Sequence, residues 1–241
     1  MVQMTSNPAL RTPAAVLWDM DGTLIDSEPL WLEAELRMLR RYDIELTEQM
    51  RDSLIGSGLR AAAATFQGLG VPLTIEEIIA EWTASVISGL RSEGPQWRPG
   101  AIELLGSLRD AGIPFGLVTM AVREIADAVL ALLPDELRFA AVLGGDEVAH
   151  EKPHPEPYLR GAELLGVSIT ECVALEDSLT GVRAARASGA VTFGIPNLLN
   201  IDAAPAHEHW PTLAGVDADI LSERFRRYAR PDTPTREDTH A

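Results

Sequence analysis

The chain has 241 residues, of which 46% are hydrophobic and only 5% aromatic, so it is long enough to bury an aliphatic core. Its formal net charge of −16 argues against a nucleic acid or an anionic membrane as a partner. A single cysteine, Cys172, excludes a disulfide framework and is expected to be an inert buried thiol. We expect neither a signal peptide nor a membrane span, and therefore a cytoplasmic protein with one or two domains.

The first predicted strand ends in two acidic residues. Residues 14–18 read AAVLW, an apolar run that is typical of a fully buried parallel strand. Asp19 and Asp21 follow this run, and Gly22 allows a sharp turn. Because open α/β sheets bind ligands at the carboxyl ends of their strands, these carboxylates suit a nucleophile and a general acid/base. A strand-to-helix loop with acidic capping residues is the structural alternative.

Residues 27–96 contain helical patterns and no strand pattern. Ser27 is expected to be the N-cap of the first helix, with Pro29 in its first turn. Further helices are expected near residues 47–54, 59–69 and 75–90. This segment therefore reads as a small helical bundle inserted after the first strand.

Helices and strands alternate after residue 97, which predicts a parallel sheet covered on both faces. Strands are expected at residues 115–119, 140–143, 172–175, 191–195 and 219–221. The predicted fold class is thus α/β, a doubly wound Rossmann-like sheet with an inserted helical bundle.

These patterns divide the chain into three parts. Residues 12–26 and 97–225 are predicted to form a core domain, and residues 27–96 a helical cap domain. The charged, Pro- and Thr-rich residues 226–241 are predicted to form a flexible tail.

Polar residues also follow the later strands. Thr119 ends the second strand, Lys152 follows the third, and Glu176 and Asp177 end the fourth. Acidic groups from two strands can hold Mg²⁺, while a lysine and a threonine can neutralise and orient an oxyanion. Taken alone, each residue has an ordinary alternative, such as helix capping for Glu176 and Asp177.

These motifs, in this order, resemble those of the haloacid dehalogenase superfamily, in the branch similar to β-phosphoglucomutase. The motifs are DMDGT at 19–23, Thr119, KPHP at 152–155 and EDS at 176–178. Residues 26–31 (DSEPLW) and 172–178 (CVALEDS) resemble those of the hexitol and 2-deoxyglucose 6-phosphate phosphatases.

The resemblance implies Mg²⁺-dependent hydrolysis of a small sugar or polyol phosphate through an aspartyl-phosphate. Asp19 would be the nucleophile and Asp21 the acid/base, while Thr119 and Lys152 would be catalytic residues that also bind the phosphoryl group. The groups that would hold Mg²⁺ are the carboxylates of Asp19, Glu176 and Asp177 and the backbone carbonyl of Asp21.

Several residues have roles that the motifs leave open. Arg60 follows a glycine-containing loop where this branch has its specificity loop, so it is predicted to bind substrate, with an exposed helix arginine as the alternative. Met120 stands where many relatives have a small polar residue. His150 and His154 have no acidic or cysteine partner at zinc-like spacing, and we expect them to be loop residues.

Two other functions are compatible with parts of this set. A phosphomutase shares every core residue, but its β-phosphoglucomutase form has a hinge histidine where this chain has Trp31. A non-catalytic sensor of a phosphorylated ligand would not need Asp21. The partner expected is a small phosphorylated metabolite, with no nucleic acid and no membrane, and the protein is expected to be a monomer or weak dimer.

Overall fold

A parallel sheet forms the centre of the computed structural model, which describes residues 12–45, 47, 58–198 and 200–229. The sheet has six strands in the order β3-β2-β1-β4-β5-β6, and every pairing is parallel. The strands are β1 (Ala15–Trp18), β2 (Phe115–Val118), β3 (Ala141–Leu143), β4 (Cys172–Glu176), β5 (Val191–Gly194) and β6 (Glu208–His209). Because β1 lies between β2 and β4, the winding direction reverses there, which is where such sheets bind their ligands.

Helices cover both faces of this sheet. The described helices are α1 (Glu28–Arg41), α2 (Leu59–Gly68), α3 (Ile75–Glu93), α4 (Ala101–Asp110), α5 (Arg123–Leu130), α6 (Glu156–Leu164), α7 (Leu179–Ser188) and α8 (Ala218–Tyr228). Side chains of β1 alternate between the faces, so Val16 and Trp18 belong to one core cluster and Leu17 to another. The α/β fold class with a helical insertion is therefore confirmed.

The insertion that contains α1, α2 and α3 enters and leaves the core through two adjacent linkers. The backbone N–H of Asp26 donates to the carbonyl of Gln96 at 2.8 Å, and that of Arg98 donates to the carbonyl of Leu24 at 3.0 Å. The division into core, cap and tail stays a prediction. The helix expected near residues 47–54 lies almost entirely outside the described residues.

The end of the chain differs from the sequence prediction. The strand expected at residues 219–221 is wrong, because this segment belongs to α8, and β6 lies earlier in the chain. The side chain of Asp217 accepts a hydrogen bond from the N–H of Ile220 at 2.8 Å and so caps the helix. The helix continues to Tyr228, so its last residues lie within the segment predicted to be a tail.

Two expectations drawn from composition can be compared with the structure. None of the described helices is long and apolar enough to cross a membrane. Cys172 is buried at the start of β4, and burial raises the pKa of its thiol to about 12. A thiol in this state is a poor nucleophile, as expected for this residue.

Candidate active site

A buried ion-pair cluster joins the carboxyl ends of β1 and β4. The Nζ atom of Lys152 lies 2.7 Å from Oδ1 of Asp19 and 2.6 Å from Oε1 of Glu176. It also donates to the carbonyl oxygen of Val118 at 3.0 Å. A lysine ammonium has three N–H donors, so these acceptors occupy all of them. Lys152 therefore orients and neutralises Asp19, and in this arrangement it has no N–H left for a substrate.

Glu176 is fully buried and hydrogen-bonded through both carboxylate oxygens. The hydroxyl of Tyr158 donates to Oε1 at 2.7 Å, and that of Ser178 donates to Oε2 at 3.1 Å. A Cβ atom at Gly181 would lie within 2.0 Å of this carboxylate, so the helix can approach only with glycine there. Glu176 thus holds the ammonium group of Lys152 in position.

The carboxyl group of Asp21 is held by the start of α1. The hydroxyl of Ser27 donates to Oδ1 at 2.5 Å, and the indole N–H of Trp31 donates to the same atom at 3.1 Å. Ser27 occupies the predicted N-cap position, but its side chain makes no capping hydrogen bond. Ser27 is therefore the N-cap residue, as predicted, but its hydroxyl is directed to Asp21 and not to the backbone of the helix.

Thr119 is fully buried beside Asp21 and does not line the cavity above the site. Its Oγ1 atom accepts a hydrogen bond from the N–H of Ala121 at 3.0 Å and lies 3.4 Å from Oδ2 of Asp21. Met120 and Ala121 line the cavity in its place. The predicted contact of Thr119 with a phosphoryl oxygen stays a prediction.

Arg60 lies apart from the other predicted site residues. Its side chain is 61% exposed, and its guanidinium lies 2.8 Å from the carboxylate of Glu76 on the surface. It is not among the residues that line the cavity. This geometry corresponds to the alternative interpretation, an exposed helix arginine.

Carboxylates of Asp19, Glu176 and Asp177 form the candidate metal centre, because one oxygen of each lies within 4.8 Å of the others. Burial raises the pKa of Asp19 to about 7, with a further increase from the charge of Glu176 and a decrease from Lys152. Burial and the charge of Asp19 likewise raise the pKa of Asp177 well above its ordinary value. Burial is the main cause of both shifts and repulsion between the carboxylates adds to it, and a divalent cation bound here would lower both pKa values.

Asp177 is the residue of this set most available to a cation. No hydrogen bond to its carboxylate is found among the described residues, in contrast to Glu176. A Cβ atom at Gly22 would lie only 1.9 Å from Oδ2 of Asp177. The glycine therefore allows this carboxylate to lie against the backbone turn that follows Asp19. Carboxylates at the ends of two strands, with Asp19 and Glu176 buried and Asp177 half-buried, fit Mg²⁺.

A cavity of about 240 Å³ opens above these groups, between the sheet and the insertion. Its core wall includes Asp19, Asp21, Lys152 and Asp177. Its insertion wall includes Trp31, Leu32, Glu35, Leu59 and Trp82. Site residues that the sequence did not predict include Ser27, Trp31, Glu35 and Tyr158.

A second group with potential metal ligands lies on the loop before α6. The sequence assigns no acidic partner to His150 and His154, but the structure brings Glu156 next to them. The Glu156 carboxylate accepts the backbone N–H groups of Ala149 and His150 at 2.8 and 3.0 Å. These hydrogen bonds fix the conformation of the loop that carries Lys152. Both histidines lie in this loop, as expected.

A protein-family model described as haloacid dehalogenase-like hydrolase matches residues 13–189 of the chain. The chain belongs to the haloacid dehalogenase-like hydrolases. Phosphoglycolate phosphatase of Xylella fastidiosa (strain 9a5c) is 34% identical over 223 residues, which cover 91% of this chain and 93% of that protein. Hexitol phosphatase B of Escherichia coli (strain K12) is 31% identical over 218 residues, which cover 86% and 91%.

A solved structure also has a similar fold. It is a CbbY variant from Rhodobacter sphaeroides in complex with xylulose-(1,5)bisphosphate, with a TM-score of 0.79 and 26% identity, covering 87% of this chain and 99% of that one. This member of the haloacid dehalogenase-like hydrolases is accordingly a phosphatase, a hydrolase of phosphoric monoesters that acts on a small phosphorylated substrate. The family and enzyme class predicted from the motifs are confirmed.

Proposed function

We propose that this phosphatase hydrolyses a small sugar or polyol phosphate, with Asp19 as nucleophile, Asp21 as general acid/base and Mg²⁺ as cofactor. The observation that most supports this function is that different partners hold the two carboxylates. Lys152 binds Asp19 from the core, whereas Ser27, just before α1, and Trp31, on α1, donate to Asp21. Neighbouring carboxyl groups in different environments suit different roles in one reaction.

In the first step, a carboxylate oxygen of Asp19 forms a bond to phosphorus, and the bond from phosphorus to the sugar oxygen breaks. Protonated Asp21 gives its proton to that oxygen, so that the alcohol leaves neutral. Oδ1 of Asp21 already accepts two hydrogen bonds, whereas the one described contact of Oδ2 is with the Thr119 hydroxyl at 3.4 Å. Oδ2 is therefore the oxygen that transfers the proton. The product on the protein is an aspartyl-phosphate.

In the second step, Asp21 takes a proton from a water molecule whose oxygen attacks phosphorus. The bond between phosphorus and Asp19 breaks, phosphate leaves, and the carboxylate is regenerated. Lys152 limits the negative charge at Asp19 throughout both steps. When bound by Asp19, Asp177, Glu176 and the carbonyl of Asp21, Mg²⁺ supplies charge neutralisation and orientation of the phosphoryl group.

Removal of divalent metal should abolish activity. A phosphate dianion would otherwise approach Asp19, Asp21 and Asp177, and Lys152 is the one cation among the described lining residues that offsets their charge. We expect phosphate release to stop in excess EDTA and to return when Mg²⁺ is added in excess. As a matched variant, Asp177→Asn should need a higher Mg²⁺ concentration for half-maximal rate. Full turnover in excess EDTA would overturn the metal assignment.

The substrate class can be tested by phosphate release from a panel of monoesters in Mg²⁺. We expect the highest kcat/KM with hexitol and hexose phosphates. A clear preference for nucleotide phosphates would refute the proposed class while leaving the phosphatase chemistry intact.

Phosphate, rather than an isomeric sugar phosphate, should be the product. A phosphomutase must protect its phosphoenzyme from water until the second hydroxyl arrives. Trp31, at the position of the hinge histidine of β-phosphoglucomutases, donates its N–H to Asp21 and can neither accept a proton nor change charge near pH 7. The test supplies β-glucose 1-phosphate and a bisphosphate primer. Glucose 6-phosphate that appears faster than inorganic phosphate would show a mutase.

A further inference from the structure

Glu35 lies on the cavity wall one helical turn beyond Trp31 on α1. Residues four apart share a face of a helix, about 6 Å apart along its axis. Because the indole N–H of Trp31 contacts Asp21, Glu35 lies about 6 Å further from the acid/base along this helix. The part of a substrate beyond its phosphate would occupy this end of the cavity.

The carboxyl group of Glu35 is unusual among the acidic residues of α1. It makes no hydrogen bond or ion pair with any residue in the described part of the chain, whereas Glu33 pairs with Arg37 at 2.8 Å on the exposed face. Burial, with a contribution from the charge of Glu28, raises the pKa of Glu35 to about 7. Partly buried carboxyl groups normally have a hydrogen-bond partner, so this one is available to a ligand.

The surroundings of Glu35 favour a neutral, hydroxyl-bearing group. The side chains of Trp31, Leu32 and Trp82 provide apolar surface for a carbon skeleton. The carboxylate can accept a hydrogen bond from a hydroxyl that projects from such a skeleton.

A second anion would find no compensating charge among the described residues of this cavity. Lys152 is the one cation on the described lining, and all of its N–H donors are engaged. The other charged side chains on the described lining are all carboxylates, and Glu35 is the one that lies on α1 beyond Trp31. Arg60 pairs with Glu76 outside the cavity. Repulsion by the carboxylates would disfavour a distal carboxylate or a second phosphate.

We propose that Glu35 determines substrate specificity, accepting a hydrogen bond from a hydroxyl of a sugar or polyol monophosphate and repelling substrates with a second anion. This inference rests on the proposed function, because it concerns the same cavity. In this role, Glu35 makes the enzyme select polyol phosphates over phosphoglycolate and over bisphosphates.

The test measures kcat/KM of the wild type, Glu35→Gln and Glu35→Lys in Mg²⁺. The substrates are sorbitol 6-phosphate, 2-phosphoglycolate and acetyl phosphate, whose short acyl group does not reach Glu35. Glu33→Gln, which changes the same residue type on the exposed face of α1, is the matched control.

We expect the wild type to prefer sorbitol 6-phosphate over 2-phosphoglycolate. Glu35→Gln should lower kcat/KM for sorbitol 6-phosphate about tenfold, the scale of one hydrogen bond to a charged group. Glu35→Lys should shift the ratio of the two substrates toward 2-phosphoglycolate by about 100-fold or more, because it adds a cation as well as removing the carboxylate. Acetyl phosphate hydrolysis should be unchanged in Glu33→Gln, and the far-UV circular dichroism and melting temperature of all variants should match wild type, which shows that they are folded.

Two results would overturn the role of Glu35: a substrate ratio within twofold of wild type in both Glu35 variants, or an equal shift in Glu33→Gln. If wild type hydrolyses acetyl phosphate but either of these results is found, the specificity inference fails and the phosphatase chemistry stands. If wild type releases no phosphate from any of the substrates, the proposed function itself fails, and the inference fails with it.

Discussion

Asp19→Asn should lower the rate of phosphate release by about 10⁴-fold or more, the scale seen when a covalent nucleophile is removed. An amide oxygen is too weak a nucleophile to form the phosphoryl bond. Glu176, the other carboxylate that Lys152 binds, is fully buried with both oxygens hydrogen-bonded, so it cannot replace Asp19. Asparagine has nearly the same shape as aspartate, and its Oδ1 can still accept the hydrogen bond that Lys152 now makes at 2.7 Å. The measurement is single-turnover phosphate release from a sugar phosphate in saturating Mg²⁺.

The variant should keep the native fold, so a loss of rate can be assigned to chemistry. Burial disfavours the ionised form of Asp19, and a neutral side chain there leaves less uncompensated charge. The melting temperature should therefore not fall appreciably. Asp110→Asn, at an exposed residue that pairs with Arg109 at 2.8 Å, is the control and should have wild-type activity. Wild-type rates in Asp19→Asn would disprove the covalent mechanism.

Asp21→Asn should slow turnover by about 10²- to 10⁴-fold, the usual contribution of general acid/base catalysis. The asparagine Oδ1 can still accept from Ser27 and Trp31, so the group stays in position but can no longer transfer a proton. Both steps need Asp21, but a substrate with a good leaving group does not need the acid. With acetyl phosphate the first step should therefore proceed, and the aspartyl-phosphate should accumulate because its hydrolysis is slow.

Accumulation can be measured as acid-stable label from ³²P-acetyl phosphate that is lost at high pH, as expected for an acyl phosphate. The doubly substituted Asp19→Asn/Asp21→Asn protein is the control and should retain no label. Rapid turnover of sugar phosphates by Asp21→Asn would mean that a different group acts as the acid/base.

The strands that carry the catalytic motifs could be predicted because each is a local apolar run that ends in a polar residue. The strand β6 could not, since Glu208 and His209 are polar and their strand conformation depends on pairing with Phe193 and Gly194 of β5. Residues 219–221 are too few to show a helical period by themselves. The period is recognised only when Phe225, which is buried on the same helix, is included. A tail that starts at residue 226 leaves out the last turn of that period.

In the candidate site, too, some contacts could be predicted from the sequence and others could not. Asp19, Lys152 and Asp177 could be predicted to meet because parallel strands bring their carboxyl ends to one edge. The contacts of Trp31 and Tyr158 could not, because they depend on the angle at which α1 and α6 approach the sheet. Their partners lie 10 and 18 residues away in the chain. A buried tyrosine hydroxyl does need a hydrogen-bond partner, but the sequence does not say which one.

The paired linkers bear on how proteins with this architecture diverge. Hydrogen bonds from Asp26 to Gln96 and from Arg98 to Leu24 hold the two ends of the insertion together. For the core, the insertion is therefore a loop whose ends lie side by side. The entropy of closing such a loop changes slowly with the length of the inserted segment. Evolution can therefore lengthen, shorten or exchange the insertion with little loss of stability in the sheet, so new substrates become accessible while the phosphoryl chemistry is inherited unchanged.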